Sequence, residues 1–285
     1  MSEVSYIERF TRKYDRDRYL CTLFAPSPLR ADLLALYAFN LEIAGIRESV
    51  SEPLVGQMRL KWWYDALDAI VAGNPPKQPI AEPLAQAVRR HGLPRAELET
   101  LIEARSDDLE AQQPSTLSAV EAYAERSSAP LMRLALTILG GGGPEARGFC
   151  RSAAVAWALT GHLRALPHHA AQRRLYLPAD LCREHGLDHE TLFARRAGDT
   201  GPTGLTSVVR EVTDAAKGHL DTLRAVQTAI PPRARSLLLY GTLTHHYLGR
   251  LAVAGYDPYR VQADRPGPGV SGLLKLSWAG LRRRI

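Results

Sequence analysis

The chain has 285 residues, 45% of them hydrophobic, which is enough apolar side chain to bury a large core. No apolar run is long enough to cross a bilayer as a helix, residues 1–17 carry charges of both signs unlike a signal or transit peptide, and three scattered cysteines (Cys21, Cys150, Cys182) fit a reducing compartment and no zinc site; this places the protein in the cytoplasm, or peripherally on the inner face of the cytoplasmic membrane. The net charge of +6 permits an anionic partner, but with no finger spacing, RNA-binding strand motif or basic run interleaved with aromatics, no nucleic acid is expected.

Residues 1–14 are expected to be flexible. Ser27-Pro28 then opens a helix, with Ser as N-cap and Pro in the first turn, that runs through Leu33, Leu36, Tyr37, Phe39 and Ile43 to about Arg47. Ser51 and Pro53 start the next helix, bearing Met58, Trp62, Trp63 and Leu67, which Gly73-Asn74-Pro75-Pro76 stops. A third helix spans about Ile80 to His91 and ends at Gly92; a fourth, after Pro94, carries Leu98, Leu101, Ile102 and the acidic group Asp107, Asp108 and Glu110. Ser118 and Glu121 have capping-box spacing for a helix reaching Leu139, and Gly140 to Pro144 breaks it.

A long helix follows from Glu145 to about Ala165, with Pro167 disturbing the chain after it so that His168-His169 read as a polar loop pair. Beyond Pro178 come a short helix stopped by Gly186, a loop over Arg195 to Pro202, and two helices, Leu205 to Ile230 and Arg233 to Gly255, parted by Pro231-Pro232. Asp264 to Gly269 is rich in Pro and Gly, and residues 270–285 form a terminal amphipathic helix with a basic end at Arg282-Arg283-Arg284. Nine or ten helices with short connections and no alternating strand give an all-α, single-domain bundle over residues 1–285.

Several residues stand out chemically. Arg47, Arg59, Lys61, Arg164, Arg173 and Arg174 could line a cavity and hold an anion, because a guanidinium bonds phosphate through two donors at once, or they could be surface charge. Glu48, beside Arg47, is either a metal ligand or a paired surface carboxylate. Trp62-Trp63-Tyr64 cannot all face one core, so at least one faces a partner or a cavity wall. The segment 272–285, Leu- and Trp-rich with an arginine end, could lie in an anionic membrane interface or cap the core.

Three segments together carry a resemblance: Tyr19-Leu20-x-x-x-Phe24-Ala25-Pro26, Leu36-Tyr37-Ala38-Phe39, and Arg174-x-Tyr176-Leu177-Pro178. In order and spacing they are similar to the squalene/phytoene synthase family, which implies the all-α isoprenoid synthase fold with a central cavity. It also implies magnesium held by aspartate-rich helix faces against a prenyl diphosphate. The stretch Ile46 to Trp63, with Ser277-Trp278 and the basic end, resembles a non-carotenogenic branch that includes the mitochondrial complex I assembly factor of phytoene-synthase type.

Laid on the family frame, Ala44, Gly45 and Glu48 stand at the first carboxylate motif, and Ala165, His168 and His169 at the second. Alanine ligates nothing, and imidazole suits zinc or copper better than magnesium. The resemblance therefore implies a degenerate, non-catalytic member with no cofactor. Such a protein would bind an isoprenoid diphosphate or lipid, or assist the assembly of a respiratory complex. The candidate ligand-binding residues are Tyr37, Phe39, Arg47, Arg164, Arg174 and Tyr176, with Glu48 and Asp108 as relic catalytic carboxylates. The alternative is an active, magnesium-dependent prenyl transferase condensing prenyl diphosphates.

Overall fold

A computed structural model describes residues 5–110, 112–196, 198–261 and 268–282, the side chains of the last stretch as far as Gly280. Among the described residues there is no strand. The helices are α1 (Tyr6–Tyr14), α2 (Arg16–Thr22), α3 (Arg30–Ala44), α4 (Pro53–Val71), α5 (Ala81–His91), α6 (Arg95–Glu110) and α7 (Leu117–Ile138). They are followed by α8 (Pro144–Ala171), α9 (Ala179–Glu184), α10 (His189–Ala194), α11 (Leu205–Val226), α12 (Leu238–Val253) and α13 (Gly269–Arg282). Short 3-10 turns at Ser27–Leu29, Arg47–Ser49, Gln227–Ala229, Pro232–Leu237 and Pro258–Arg260 link them.

Most helix limits follow the punctuation in the sequence. Pro53 and Pro144 occupy first turns, where the missing N–H has no partner to lose. Gly92 takes a left-handed φ of 59° just past α5. Other expectations are corrected. Residues 6–14 form a helix, α1, that buries Ile7 and Thr11 and packs on α3. Ser27 lies in a 3-10 turn and makes no side-chain cap bond. The cap of α7 is Thr116, whose hydroxyl accepts from Ala119 N–H at 3.1 Å, and not the Ser118 box. The short helices α1, α2 and α10 were not legible as helices, since two or three turns carry too little apolar period to recognise.

The largest correction concerns α8. The helix does not stop near Ala165; it passes through Pro167 to Ala171, so His168 and His169 are helical. Two clusters of buried side chains meet along it. One gathers α1 to α7 with α12 and α13, and contains Leu36, Phe39, Trp63, Phe149 and Tyr240. The other gathers α9, α10 and α11 on the second half of α8, and contains Leu159, Leu163, Leu166, Val208 and Val212. All three cysteines are buried thiols.

A buried ion pair fastens the far end of the second cluster. Arg195 donates from Nη1 and Nη2 to the two carboxylate oxygens of Asp257 at 2.9 and 2.6 Å, and lies 4.1 Å over the Tyr259 ring. The loop after α10 is thereby tied to the chain after α12. The basic end Arg283 to Ile285 and most of the Pro/Gly stretch, residues 264–267, lie outside the described residues.

Gly204, which starts α11, has a φ of +80°, and a Cβ there would meet the His185 carbonyl oxygen at 2.1 Å. Both the backbone angle and the contact with a main-chain atom exclude a side chain. Gly204→Ala is expected to lower unfolding stability by at least about 2 kcal/mol in denaturant titrations. A change below about 0.5 kcal/mol would contradict this packing.

Candidate functional site

The site forms where the end of α3 meets the end of α8. After Gly45 the chain makes the 3-10 turn Arg47–Ser49, whose Ser49 N–H bonds back to Gly45 and Ile46 carbonyls at 3.2 and 3.0 Å. Arg59 on α4 pins this turn, donating to Ser49 Oγ at 2.6 Å and to Glu42 at 3.1 Å. Glu48 is thus held facing α8.

On the other side, α8 ends in a paired cap: Arg173 N–H bonds to Ala170 O and Arg174 N–H to His169 O, both at 2.9 Å. Arg173 adopts φ +57° to make that turn, a position where glycine is usual. The cap swings the Arg174 side chain, 7% exposed, back against the helix.

Across the gap His168 Nε2 lies 3.1 Å from Glu48 Oε1, and Arg174 Nη2 lies 3.8 Å from the same oxygen. Arg174 also donates to Gln172 Oε1 at 2.7 Å, which turns the Gln172 amide nitrogen toward His168 at 3.0 Å. The nitrogen of His168 can donate to Glu48 or accept from Gln172, not both at once. The structure therefore joins the two motif remnants directly, carboxylate to imidazole.

Inside this latch, His162, His169, Tyr176 and Tyr123 pack ring on ring. Tyr176 lies 4.8 Å from both His162 and His169, and Tyr123 lies 5.6 Å from His162, between ring centroids. Because α8 continues past Pro167, His162 and His169 share one helix face. At the base sits Asp108 of α6, which accepts from the hydroxyls of Tyr123 and Tyr176, the latter at 3.0 Å, with Arg105 Nη1 at 3.4 Å.

Burial pushes His162 down to about 4, an effect the nearby Asp108 partly counters. Burial, with the charges of His162 and Arg174, pushes His169 down to about 3. Burial next to Asp108 raises the hydroxyl of Tyr176. Both histidines are neutral at pH 7, and neither buried Nδ1 has a hydrogen-bond partner in the structure.

The remaining sequence candidates fall elsewhere. Arg164 donates to Asp17 at 3.1 Å and lies 3.6 Å over the Tyr247 ring, whose hydroxyl also bonds Asp17 at 2.7 Å. Tyr37 lines a cavity of about 10 Å³ with Arg18, Trp157 and Tyr240. Phe39 is fully enclosed, edge-on to Trp63 at 5.0 Å. Arg47 is half-buried, with an Nε that no protein group bonds. Of the aromatic run, Trp63 is core and Trp62 is 42% exposed.

The structure thus brings Glu48, His168, His169, Arg174, Tyr176 and, through Tyr176, Asp108 into one site. It places Arg164, Tyr37 and Phe39 outside it. Arg105, Tyr123, Asp17 and Tyr247 were missed. They are single polar residues on otherwise ordinary helices, and only the three-dimensional pairing marks them.

The donors present do not fit magnesium. Ala44, Gly45 and Ala165 bring no oxygen, Glu48 is engaged by His168, and Asp108 is engaged by two phenols. Among the described residues no three His, Cys, Asp or Glu side chains converge in a metal-binding cluster. A hard cation wants several oxygens, and the rings of His168 and His169 cannot supply them.

Comparison with known proteins gives a consistent picture. The family model described as Squalene/phytoene synthase matches residues 11–269. The NADH dehydrogenase (ubiquinone) complex I assembly factor 6 of Bos taurus is 34% identical over 260 residues, covering 91% of this chain and 77% of that protein. A phytoene synthase of Rhodobacter capsulatus is 28% identical over 198 residues, covering 70% and 56%. The crystal structure of squalene synthase HpnC from Alicyclobacillus acidocaldarius superposes with a TM-score of 0.77 at 25% identity, over 88% of this chain and 94% of that one.

The lowered histidines make acid sensitivity testable. The folded values, about 4 and about 3, lie below the ordinary 6.5, so the unfolded chain takes up protons first as pH falls. Their contribution is complete above pH 6.5 and is lost as pH drops toward the folded values. Each ring should cost on the order of 1–2 kcal/mol at about pH 5. Thermal melts from pH 7 to 4 are expected to show this loss, and His162→Phe to flatten it; an unchanged slope in the variant would contradict the assignment.

Proposed function

The chain belongs to the squalene/phytoene synthase family, and we propose that within it this protein has kept the fold, given up prenyl transfer, and serves the assembly of respiratory complex I. One observation carries the first part of that reading: Glu48 and His168, the polar remnants of the two motifs, bond each other at 3.1 Å. Ionising a prenyl diphosphate builds negative charge on the departing pyrophosphate. A metal bridging carboxylates on both motifs stabilises that charge by several kcal/mol. In this chain the gap is closed by a carboxylate–imidazole contact instead. The second part is supported by similarity to the Bos taurus complex I assembly factor 6 over 91% of the chain.

A further reading concerns what the site still binds. The Nε atoms of Arg174 and of Arg105, at the base of the site, are buried without a protein acceptor. Buried guanidinium N–H groups ordinarily find one. An isoprenoid diphosphate, or a lipid phosphate, would supply acceptors there and would be held without being ionised.

Two measurements test the proposal. Purified protein incubated with farnesyl or geranylgeranyl diphosphate and Mg²⁺ or Mn²⁺ is expected to release no pyrophosphate, a loss of about 4 kcal/mol or more of barrier lowering being at least about a thousandfold in rate. Pyrophosphate release that Glu48→Gln abolishes would establish the transferase instead. Cells lacking the chain are expected to show less assembled complex I on native gels, restored by wild type and by Glu48→Gln alike. Normal complex I in those cells would refute the assembly role.

A further inference from the structure

α13 is built inside out for a helix that ends in water. Its inward face is made of small or compact residues, Gly272, Leu276 and Ala279, and close contacts hold it at both ends. A Cβ at Gly272 would lie 2.9 Å from His246 Nε2, and one at Gly280 would lie 2.4 Å from the Phe24 ring. The outward face carries Val270, Leu274 and Trp278, which are 73%, 67% and 56% exposed. Spaced four apart, they fall on one crest of the helix. An exposed crest of this kind is the reverse of the usual polar outer face.

Two hollows flank that crest, and both are basic. One, of about 400 Å³, lies where the C-terminal end of α13 meets the turns at Ser27–Leu29 and Pro232–Leu237, and Arg30, Arg233 and Arg235 line it. The other, of about 700 Å³, lies between α12, α13 and the turn at Pro258–Arg260, and Arg250, Arg260 and Lys275 line it. No carboxylate among the described residues lines either hollow. Among the described residues, only Arg260 of these six has a carboxylate partner, Asp257 at 3.3 Å. Arg30 is steered by its Nε bond to the Ala25 carbonyl at 2.9 Å. Burial chiefly, with smaller contributions from the Lys275 and Arg250 charges, holds His246 below its ordinary value against the Pro268 carbonyl and Asp17.

We propose that α13 and these two hollows form one docking face for an anionic phospholipid surface. The crest of Val270, Leu274 and Trp278 enters the acyl boundary, to a depth of about 5–10 Å for such helices. The arginines then stand at headgroup level, where the planar guanidinium bonds phosphate through two donors. A protein partner would need carboxylates matching two separate hollows and an apolar cleft for three side chains. A lipid surface supplies both patterns everywhere. The turn at Pro232–Leu237 belongs to the docking face although it lies more than thirty residues before α13 in sequence.

This inference goes beyond the assembly role and stands or falls separately from it. The full chain is floated with vesicles of phosphatidylcholine alone and of phosphatidylcholine with phosphatidylglycerol. Binding to the anionic vesicles is expected, weakening as salt rises. Each cation at such a surface is worth about fivefold in partitioning, so Arg233→Gln with Arg235→Gln should lower it roughly 25-fold. Leu274→Glu, at an exposed position, should abolish binding while circular dichroism and melting temperature stay unchanged. Equal binding to neutral vesicles, no binding to anionic ones, or indifference to both sets of substitutions overturns the proposal. So does sedimentation showing that Leu274→Glu splits a dimer, since the crest would then be an interface between copies.

Discussion

The arrangement depends on α8 being buried along most of its length. A helix of 28 residues is about 42 Å long, and α7, α11 and α12 all pack on it from different sides. That is possible because its buried positions are dominated by small residues, including Ala146, Ser152, Ala153, Ala154, Ala156, Ala158 and Ala170. Small side chains let neighbouring helices approach, and the larger groups on the same helix then have fixed surroundings. Trp157 meets Tyr240, His162 meets Tyr176, and Arg164 meets Tyr247, each at a position set by the α8 register. The same register carries His168 to the end of the helix, 3.1 Å from Glu48.

How much of this could be read from the sequence depended on whether the signal was periodic or relational. Long helices with proline or glycine at their ends, such as α4 and α5, were legible because the punctuation acts locally. The course of α8 through Pro167 was not. Proline removes one N–H and disfavours the residue before it in helical geometry, which reads as an end. Here α8 runs on through Pro167 and packs against α11, a contact that only the three-dimensional arrangement reveals. The consequence was large, since a loop would have parted His162 from His169, whereas the helix stacks both on Tyr176.

The candidate site was legible as a set of absences. Ala44, Gly45 and Ala165 could be recognised as positions without donors, whereas Glu48, Arg174 and Tyr176 were named beside Arg164, Tyr37 and Phe39, and His168 was read as part of a loop. What the sequence could not supply was their pairing. Asp108 was one of three acidic residues near the end of α6, and nothing local distinguishes it from Asp107, which is exposed and paired with Arg126. Only the two phenols and Arg105 single it out, and they come from α7, from the segment after α8, and from one turn earlier on α6. Tyr37 and Phe39 fit the opposite case: they were legible as landmarks because the core needs them, and a core position carries sequence signal without implying contact with a ligand.

The electrostatics of the site explain why the substitutions belong together. Carboxylates crowded on two facing helices repel one another unless a cation lies between them, so such a site is stable only with its metal. Removing one carboxylate would leave the others still repelling. Replacing all but one, as here, removes that mutual repulsion. Glu48 then finds its counter-charge in Arg174 and a polar partner in His168, and Asp108 is balanced by Arg105 and two hydroxyls. The half-buried histidines stay neutral at pH 7, each with a buried Nδ1 that no protein group bonds. The result is a polar centre whose charges are balanced by protein groups, while two arginine Nε atoms are left without acceptors. A centre of this kind can hold the helices of a scaffold in register without any bound ion. On the reading proposed above, such a centre would hold an anion without ionising it.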